Sequence, residues 1–215
     1  LGGGFERGTV TQLYGPPAAG KTNVALSGAV GVATDGGRAL YIDTEGLSVD
    51  RFRQLIEATS DEPVEDVASR LIISDAMDFD EQQEAVRDAA EFAERVDLMV
   101  LDSATGFYRL NRGEDVEGGD SLRAVARQVT QLLSLARKHD IAVVITNQVY
   151  TDPDTDRTRA LGGHTLEHWT GVVLRLERFR GGNRRATLEK HRAKAAGETA
   201  TFRITDKGIE GDEQV

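Results

Sequence analysis

Eight consecutive residues, Gly15-Pro16-Pro17-Ala18-Ala19-Gly20-Lys21-Thr22, set two glycines, a lysine and a hydroxyl in the pattern GxxxxGK[ST]. Glycines at such spacing let the backbone curl until its N–H groups face one point, where they bind phosphate oxygens. A helix starting just after the lysine, at Thr22, adds partial positive charge at the same place. Lys21 then reaches the β and γ phosphates of a nucleotide and Thr22 offers a hydroxyl to magnesium, so the loop calls for a nucleoside triphosphate with Mg2+. An accidental glycine-rich turn would satisfy the letters but not the strand before them and the helix after them.

Three more residues carry the chemistry further. Asp102 closes the apolar run Leu98-Met99-Val100-Leu101, and a carboxylate at the carboxyl edge of a buried strand can hold the water shell of magnesium. A helix cap is the plainer reading of such an Asp. Glu45, in Tyr41-Ile42-Asp43-Thr44-Glu45-Gly46, could orient or deprotonate the water that attacks a γ-phosphate; a solvated loop glutamate is the alternative. Gln148, after Ile145-Thr146-Asn147, could hydrogen-bond the γ-phosphate or that water and report nucleotide state to the segment that follows, or simply form a turn.

These residues work together only if the chain brings them to one edge, and the apolar pattern predicts that it does. Strands over Val10–Tyr14, Ala39–Asp43, Leu71–Ser74, Leu98–Asp102 and Ile141–Thr146 alternate with helices over Thr22–Ala33, Asp50–Ala58, Glu81–Glu94 and Ser121–Lys138. The last helix carries Leu122, Val125, Val129, Leu132 and Leu133 on one face. Such alternation predicts an α/β fold, a mostly parallel sheet with helices on both faces. After Thr146 the pattern changes. Val172–Arg178, Ala186–Glu189 and Thr201–Thr205, with a turn at Gly181-Gly182-Asn183, read as antiparallel strands extending one edge. Asn111–Gly119 and Asp152–Gly163 lack a periodic apolar pattern and read as mobile.

Composition narrows the class. A chain of 215 residues, 39 % hydrophobic and 29 % charged, with four prolines, is expected to form one globular domain over 1–215. No apolar run reaches the ~18 residues of a membrane span, so a soluble cytoplasmic protein with no membrane partner is expected. Without cysteine there is neither a disulfide nor a thiolate site. The sequence opens at Leu1 without methionine, and an N-terminal piece is expected to be missing.

The net charge of −10 argues against binding nucleic acid over the whole surface and suits solubility at high salt. Residues 157–194 run the other way, with ten basic and three acidic side chains. Within them Arg178, Arg180, Arg184 and Arg185 flank the expected turn. Clustered arginines can pair DNA phosphates bidentately or stack on bases; a solvated charged face is the other reading. His164 and His168 have helical spacing but no third ligand nearby, so loop or core packing is expected there.

In order and spacing, LGGGFERG at the N-terminus, GPPAAGKT, YIDTEG, LMVLDSATGFYR, VVITNQV and LGGHTLEHW resemble the core of the RecA/RadA recombinase family, most closely its short archaeal paralogues, over nearly the whole chain. The resemblance implies a RecA-like core that binds ATP and Mg2+ and hydrolyses ATP weakly. Lys21 and Thr22 would lie on the nucleotide and metal, Asp102 would be the second magnesium residue, Glu45 would activate water and Gln148 would sense the γ-phosphate. It also makes Phe107–Gly119 and Val149–Gly163 resemble two DNA-binding loops. Lys190 and Arg192 resemble a Lys-x-Arg pair that, in related ATPases, reaches a neighbouring subunit's γ-phosphate; strand-surface charge is the alternative.

An accessory role in recombination and DNA repair follows from the resemblance, with single-stranded DNA and a main RadA-type recombinase as partners and a homo-oligomer as a further option. The chain departs from full-length recombinases in that no phenylalanine has Ala three residues on, so their Phe-x-x-Ala polymerisation segment is not matched. Asp152, Asp154 and Asp156 would repel phosphates from the second loop. A KaiC-like regulatory ATPase without DNA binding and a non-hydrolysing, nucleotide-dependent interaction module are the alternative functions.

Overall fold

The structure, a computed structural model, describes residues 3–107, 119–152 and 157–211. Nine strands form one sheet in the order β11-β10-β9-β8-β1-β5-β4-β2-β3. Its parallel part comprises β1 (Thr9–Tyr14), β2 (Ala39–Asp43), β3 (Leu71–Asp75), β4 (Leu98–Asp102), β5 (Ala142–Asn147) and β8 (Val172–Arg178). Antiparallel pairing begins only with β9 (Arg184–Lys190) and continues through β10 (Thr199–Thr205) and β11 (Gly208–Gly211). β8, expected among the antiparallel strands, runs parallel to β1 and opens that extension.

Period-two alternation divides each central strand between two apolar layers. Leu40, Ile42, Met99, Leu101, Val143 and Ile145 face one side, where α4 (Phe79–Phe92) and α5 (Gly119–His139) supply Val86, Ala89, Val125, Val129 and Leu132. Ala39, Tyr41, Leu98, Val100, Ala142 and Val144 face the other, against α1 (Lys21–Thr34), α2 (Val49–Thr59) and α3 (Val64–Ala68). With both faces covered, central strands read as continuous apolar runs. The small residues of α1 allow close approach: a Cβ on Gly28 would lie 2.4 Å from the Phe5 ring.

Residues 157–163, within the stretch Asp152–Gly163, are more regular than their polar sequence suggests. Arg157–Ala160 forms β7, paired antiparallel with β6 (Val149–Asp152), and α6 (Gly163–Trp169) follows. Backbone pairing needs no apolar alternation, which is why the hairpin escapes a hydrophobicity reading. Asp154, Asp156 and residues 108–118 of the first candidate DNA loop lie outside the described residues. Among the described residues no helix is long and apolar enough to cross a membrane.

Candidate functional site

Register gathers the chemistry. Tyr14 lies beside Asn147 across β1 and β5, and Asp43 beside Asp102 across β2 and β4. Four strands therefore end level, and the segments leaving them meet at the carboxyl edge, where open α/β sheets bind ligands. A cleft of about 410 Å³ opens there, lined by Gly15, Lys21, Thr22, Glu45, Gln148 and Arg184 among others. A larger cavity of about 600 Å³ lies beneath the β6–β7 hairpin, against Tyr14, Tyr150, Leu161 and Glu189. It contains neither the loop nor the carboxylates, so the smaller cleft holds the candidate chemistry.

The loop from Gly15 to Gly20 leaves β1 and enters α1 at Lys21. Ala18 has φ 60 and Gly20 φ 103, the left-handed turns that swing successive N–H groups to one side. Gly15 admits no side chain, because a Cβ there would sit 2.2 Å from the Leu176 carbonyl oxygen of β8. Lys21 Nζ donates to the carbonyls of Gly15 and Pro16 at 2.9 and 3.2 Å. Burial pushes its pKa down, while Glu45 and Asp102 oppose that shift. A lysine so placed is held over the loop with its charge aimed into the cleft.

Asp102 is 1 % exposed, a position that an unpartnered carboxylate would occupy only at a cost of several kcal/mol. Two hydroxyls compensate, Tyr41 donating to Oδ2 at 2.6 Å and Thr146 to Oδ1, and Thr22 at the start of α1 stands close enough to favour the charge as well. Burial nonetheless raises its pKa, with the donors pulling the other way. Tyr41 is pushed up in turn, by burial first and by the Asp102 charge second. Thr22 and Asp102 together offer hard oxygen donors beside each other, the donor chemistry that Mg2+ takes. The peptide bond after Asp102 is cis.

Glu45 owes its position to Asp43, which the sequence reading passed over. The Asp43 carboxylate accepts from the backbone N–H groups of Glu45 and Gly46, each at 3.1 Å, and of Leu47. Its strand-end place before Thr44-Glu45-Gly46 was a signal, since Asp at a turn commonly accepts from the N–H groups that follow. Thr44 Oγ1 accepts from the Ser103 N–H at 2.8 Å, tying this loop to the end of β4. Gln148 Nε2 reaches Glu45 Oε1 at 3.1 Å. The Gln148 N–H donates to Thr105 Oγ1 at 3.1 Å, and its carbonyl accepts from the Leu161 N–H at 2.8 Å, beyond the hairpin.

The arginine cluster divides. Arg184 points into the cleft beside Gly20 and Ile204. Arg178 and Arg180 are exposed near the β8–β9 turn, while Arg185 stacks over Phe179 at 4.6 Å and pairs with Glu177 at 3.7 Å. Lys190 lies beside Val173, at the opposite edge of the sheet from the phosphate loop, and donates to the Glu167 carbonyl at 2.6 Å. Arg192 lines the same shallow groove as Lys190 and Trp169. His164 is exposed, 3.5 Å from Glu167, and His168 sits edge-on to Trp169. Among the described residues no group of three metal-ligating side chains occurs.

Sheet order, the strand–loop–helix at Gly15–Thr22 and the strand-end carboxylates together define a RecA-like phosphate-loop core. The Rad51 family model matches residues 1–212, and the chain belongs to that family. It is similar to the DNA repair and recombination protein RadB of Halobacterium salinarum, 69 % identical over 98 % of this chain and 89 % of that protein. RadB of Methanococcoides burtonii is 41 % identical over 97 % of this chain and 92 % of its own length. Among solved structures, a crystal structure of the RadB recombinase aligns with TM-score 0.85 at 37 % identity, covering 99 % of this chain and 94 % of that one.

Proposed function

We propose that this chain binds ATP with magnesium, hydrolyses it slowly, and contacts single-stranded DNA as an accessory protein of recombination and repair. The observation that carries this reading is the meeting of Lys21, Thr22, Glu45 and Gln148 around one cleft, with Asp102 buried behind Thr22. Lys21 and the loop N–H groups bind and orient the phosphates. Thr22, backed by Asp102, would hold magnesium, which supplies charge neutralisation between the phosphates. Glu45, with Gln148 fixing one of its oxygens, orients the attacking water and takes its proton. Gln148 passes γ-phosphate occupancy to the hairpin through its carbonyl.

Lys190 and Arg192 stand at the sheet edge opposite the chain's own loop, which supports a role toward a second subunit's phosphates. A RadA-type recombinase fits as the principal partner, and the cytoplasm as the compartment. Phosphate release measured with and without single-stranded DNA at high salt tests the whole reading. Slow turnover that DNA changes supports it. Nucleotide binding without turnover would make the chain a non-hydrolysing interaction module, and turnover indifferent to DNA in a protein that binds none would make it a regulatory ATPase.

A further inference from the structure

Arg184 belongs by sequence to the basic run around the β8–β9 turn, yet its side chain leaves that surface. It lines the cleft with Lys21 and Thr22. The space a Cβ on Gly20 would fill lies 3.3 Å from Arg184 Cδ and 3.4 Å from Nε. The guanidinium therefore packs against the last glycine of the phosphate loop. One end is anchored, Nη1 donating to the Gly182 carbonyl at 2.8 Å. Nε is withdrawn from solvent with no hydrogen-bond partner.

That arrangement is unfavourable as it stands. A buried donor left without a partner is destabilising, and more so when it carries charge. Arg178 lies directly opposite Arg184 across β8 and β9, and like charges in that position repel. Burial first and Arg178 second push the Arg184 pKa below its ordinary value, so both disfavour a charge that the guanidinium nevertheless keeps. No carboxylate among the described residues forms an ion pair with it; the nearby Glu177 is taken by Arg175 and Arg185. An anion in the cleft would answer all three deficits, by accepting from Nε, screening Arg178 and pairing the charge.

We infer that Arg184 is a second cationic contact for the nucleotide's phosphates, delivered to the phosphate loop by the antiparallel extension. The inference rests on the proposed nucleotide site. It also gives β9 and β10 a function, because Arg184 and Ile204 are the cleft residues that those strands contribute. DNA phosphate is the competing source of the same anion, and an outward-facing arginine would be needed to reach it.

The test titrates a fluorescent ATP analogue, a fluorescent ADP analogue and, in competition, inorganic pyrophosphate against the parent, Arg184→Gln, Arg184→Lys, Lys21→Ala and Arg53→Gln, the last an exposed arginine of α2 outside the cleft. Arg184→Gln is expected to weaken all three ligands roughly tenfold, Arg184→Lys less, and Arg53→Gln not at all. Loss for the two nucleotides with pyrophosphate unchanged would overturn a phosphate contact. So would parental affinity in Arg184→Gln while Lys21→Ala fails to bind. If the parent binds no nucleotide, the site itself is refuted and not merely this residue. Should Arg184→Gln melt early, Arg184→Lys, which keeps the charge, carries the comparison. A lower salt dependence of DNA binding in Arg184→Gln, with nucleotide affinity intact, would assign the residue to DNA and overturn the inference.

Discussion

Gln148 Nε2 and Glu45 Oε1 are 3.1 Å apart, although they leave β5 and β2, strands separated by β4. The bond joins two of the residues that line the cleft. It fixes one carboxylate oxygen of Glu45, and in the proposed site the other would face the attacking water. The same glutamine is held by Thr105 and holds Leu161, so one residue joins Glu45 to the segment after the hairpin.

Replacing Glu45 with Gln keeps the shape of the side chain and removes the proposed base. Nucleotide affinity should stay within about twofold, while turnover falls roughly a hundredfold or more, in the range expected for loss of a general base. A fluorescent-nucleotide titration beside a phosphate-release assay separates the two quantities. Parental turnover in Glu45→Gln would move water activation to another residue.

Gly15 and Gly31 make opposite predictions from one substitution. A Cβ on Gly15 would collide with the Leu176 backbone oxygen, whereas nothing lies within 4 Å of one on Gly31 in α1. Gly15→Ala should lower stability by about 1–3 kcal/mol through overpacking and distort the loop. Gly31→Ala should be neutral or stabilising by up to about 1 kcal/mol through helix propensity. Urea unfolding of both variants checks the contrast, and equal midpoints would mean that β8 yields to the loop.

Much of this was legible in sequence, and the reason is local. Ala39–Asp43, Leu98–Asp102 and Val172–Arg178 are strands with those bounds, because each apolar or alternating run ends on a charged residue or turn. The phosphate loop is encoded within eight residues, and strand-end Asp102 and Glu45 inherit their position from parallel pairing. Arg184 was not legible in the same way. Its neighbours Arg178, Arg180 and Arg185 have the same chemistry, and what separates it is β9 packing against a loop more than 160 residues earlier. The hairpin partner of Val149–Asp152 was hidden because short polar strands carry no burial signal.

Asp102 sets a pH signature. Burial raises its pKa above the unfolded value near 3.8, so the folded state holds that proton more firmly than the unfolded chain does. The stabilisation this gives is complete below about pH 3.8 and is lost as pH rises through the folded pKa. Asp102→Asn cannot titrate. The stability of the parent minus that of Asp102→Asn should therefore shrink as pH rises from about 4 towards neutrality, measured by chemical unfolding at constant ionic strength. A difference that grows with pH would mean that Tyr41, Thr146 and Thr22 outweigh burial.

DNA binding by a chain of net charge −10 has to come from a local positive surface. With Arg184 turned into the cleft, Arg178, Arg180 and Arg185 remain outside, next to Phe179, which is 42 % exposed and lies under the Arg185 guanidinium. An exposed ring with arginines around it is the combination that stacks bases and tracks a single-stranded backbone. If each arginine meets one phosphate, changing all three to Ala should lower the slope of log affinity against log salt by up to about two units, at ~0.7 per contact. Nucleotide affinity should be kept, since none of the three lines the cleft. Phe179→Ala should weaken binding by about 1–3 kcal/mol and leave the slope unchanged, because a stacked ring displaces no counterion. Titrations at several salt concentrations distinguish these outcomes. An unchanged slope in the triple variant would transfer the DNA contact to the hairpin or to the segment after Phe107, and a parent that binds no DNA at any salt would remove the DNA partner altogether.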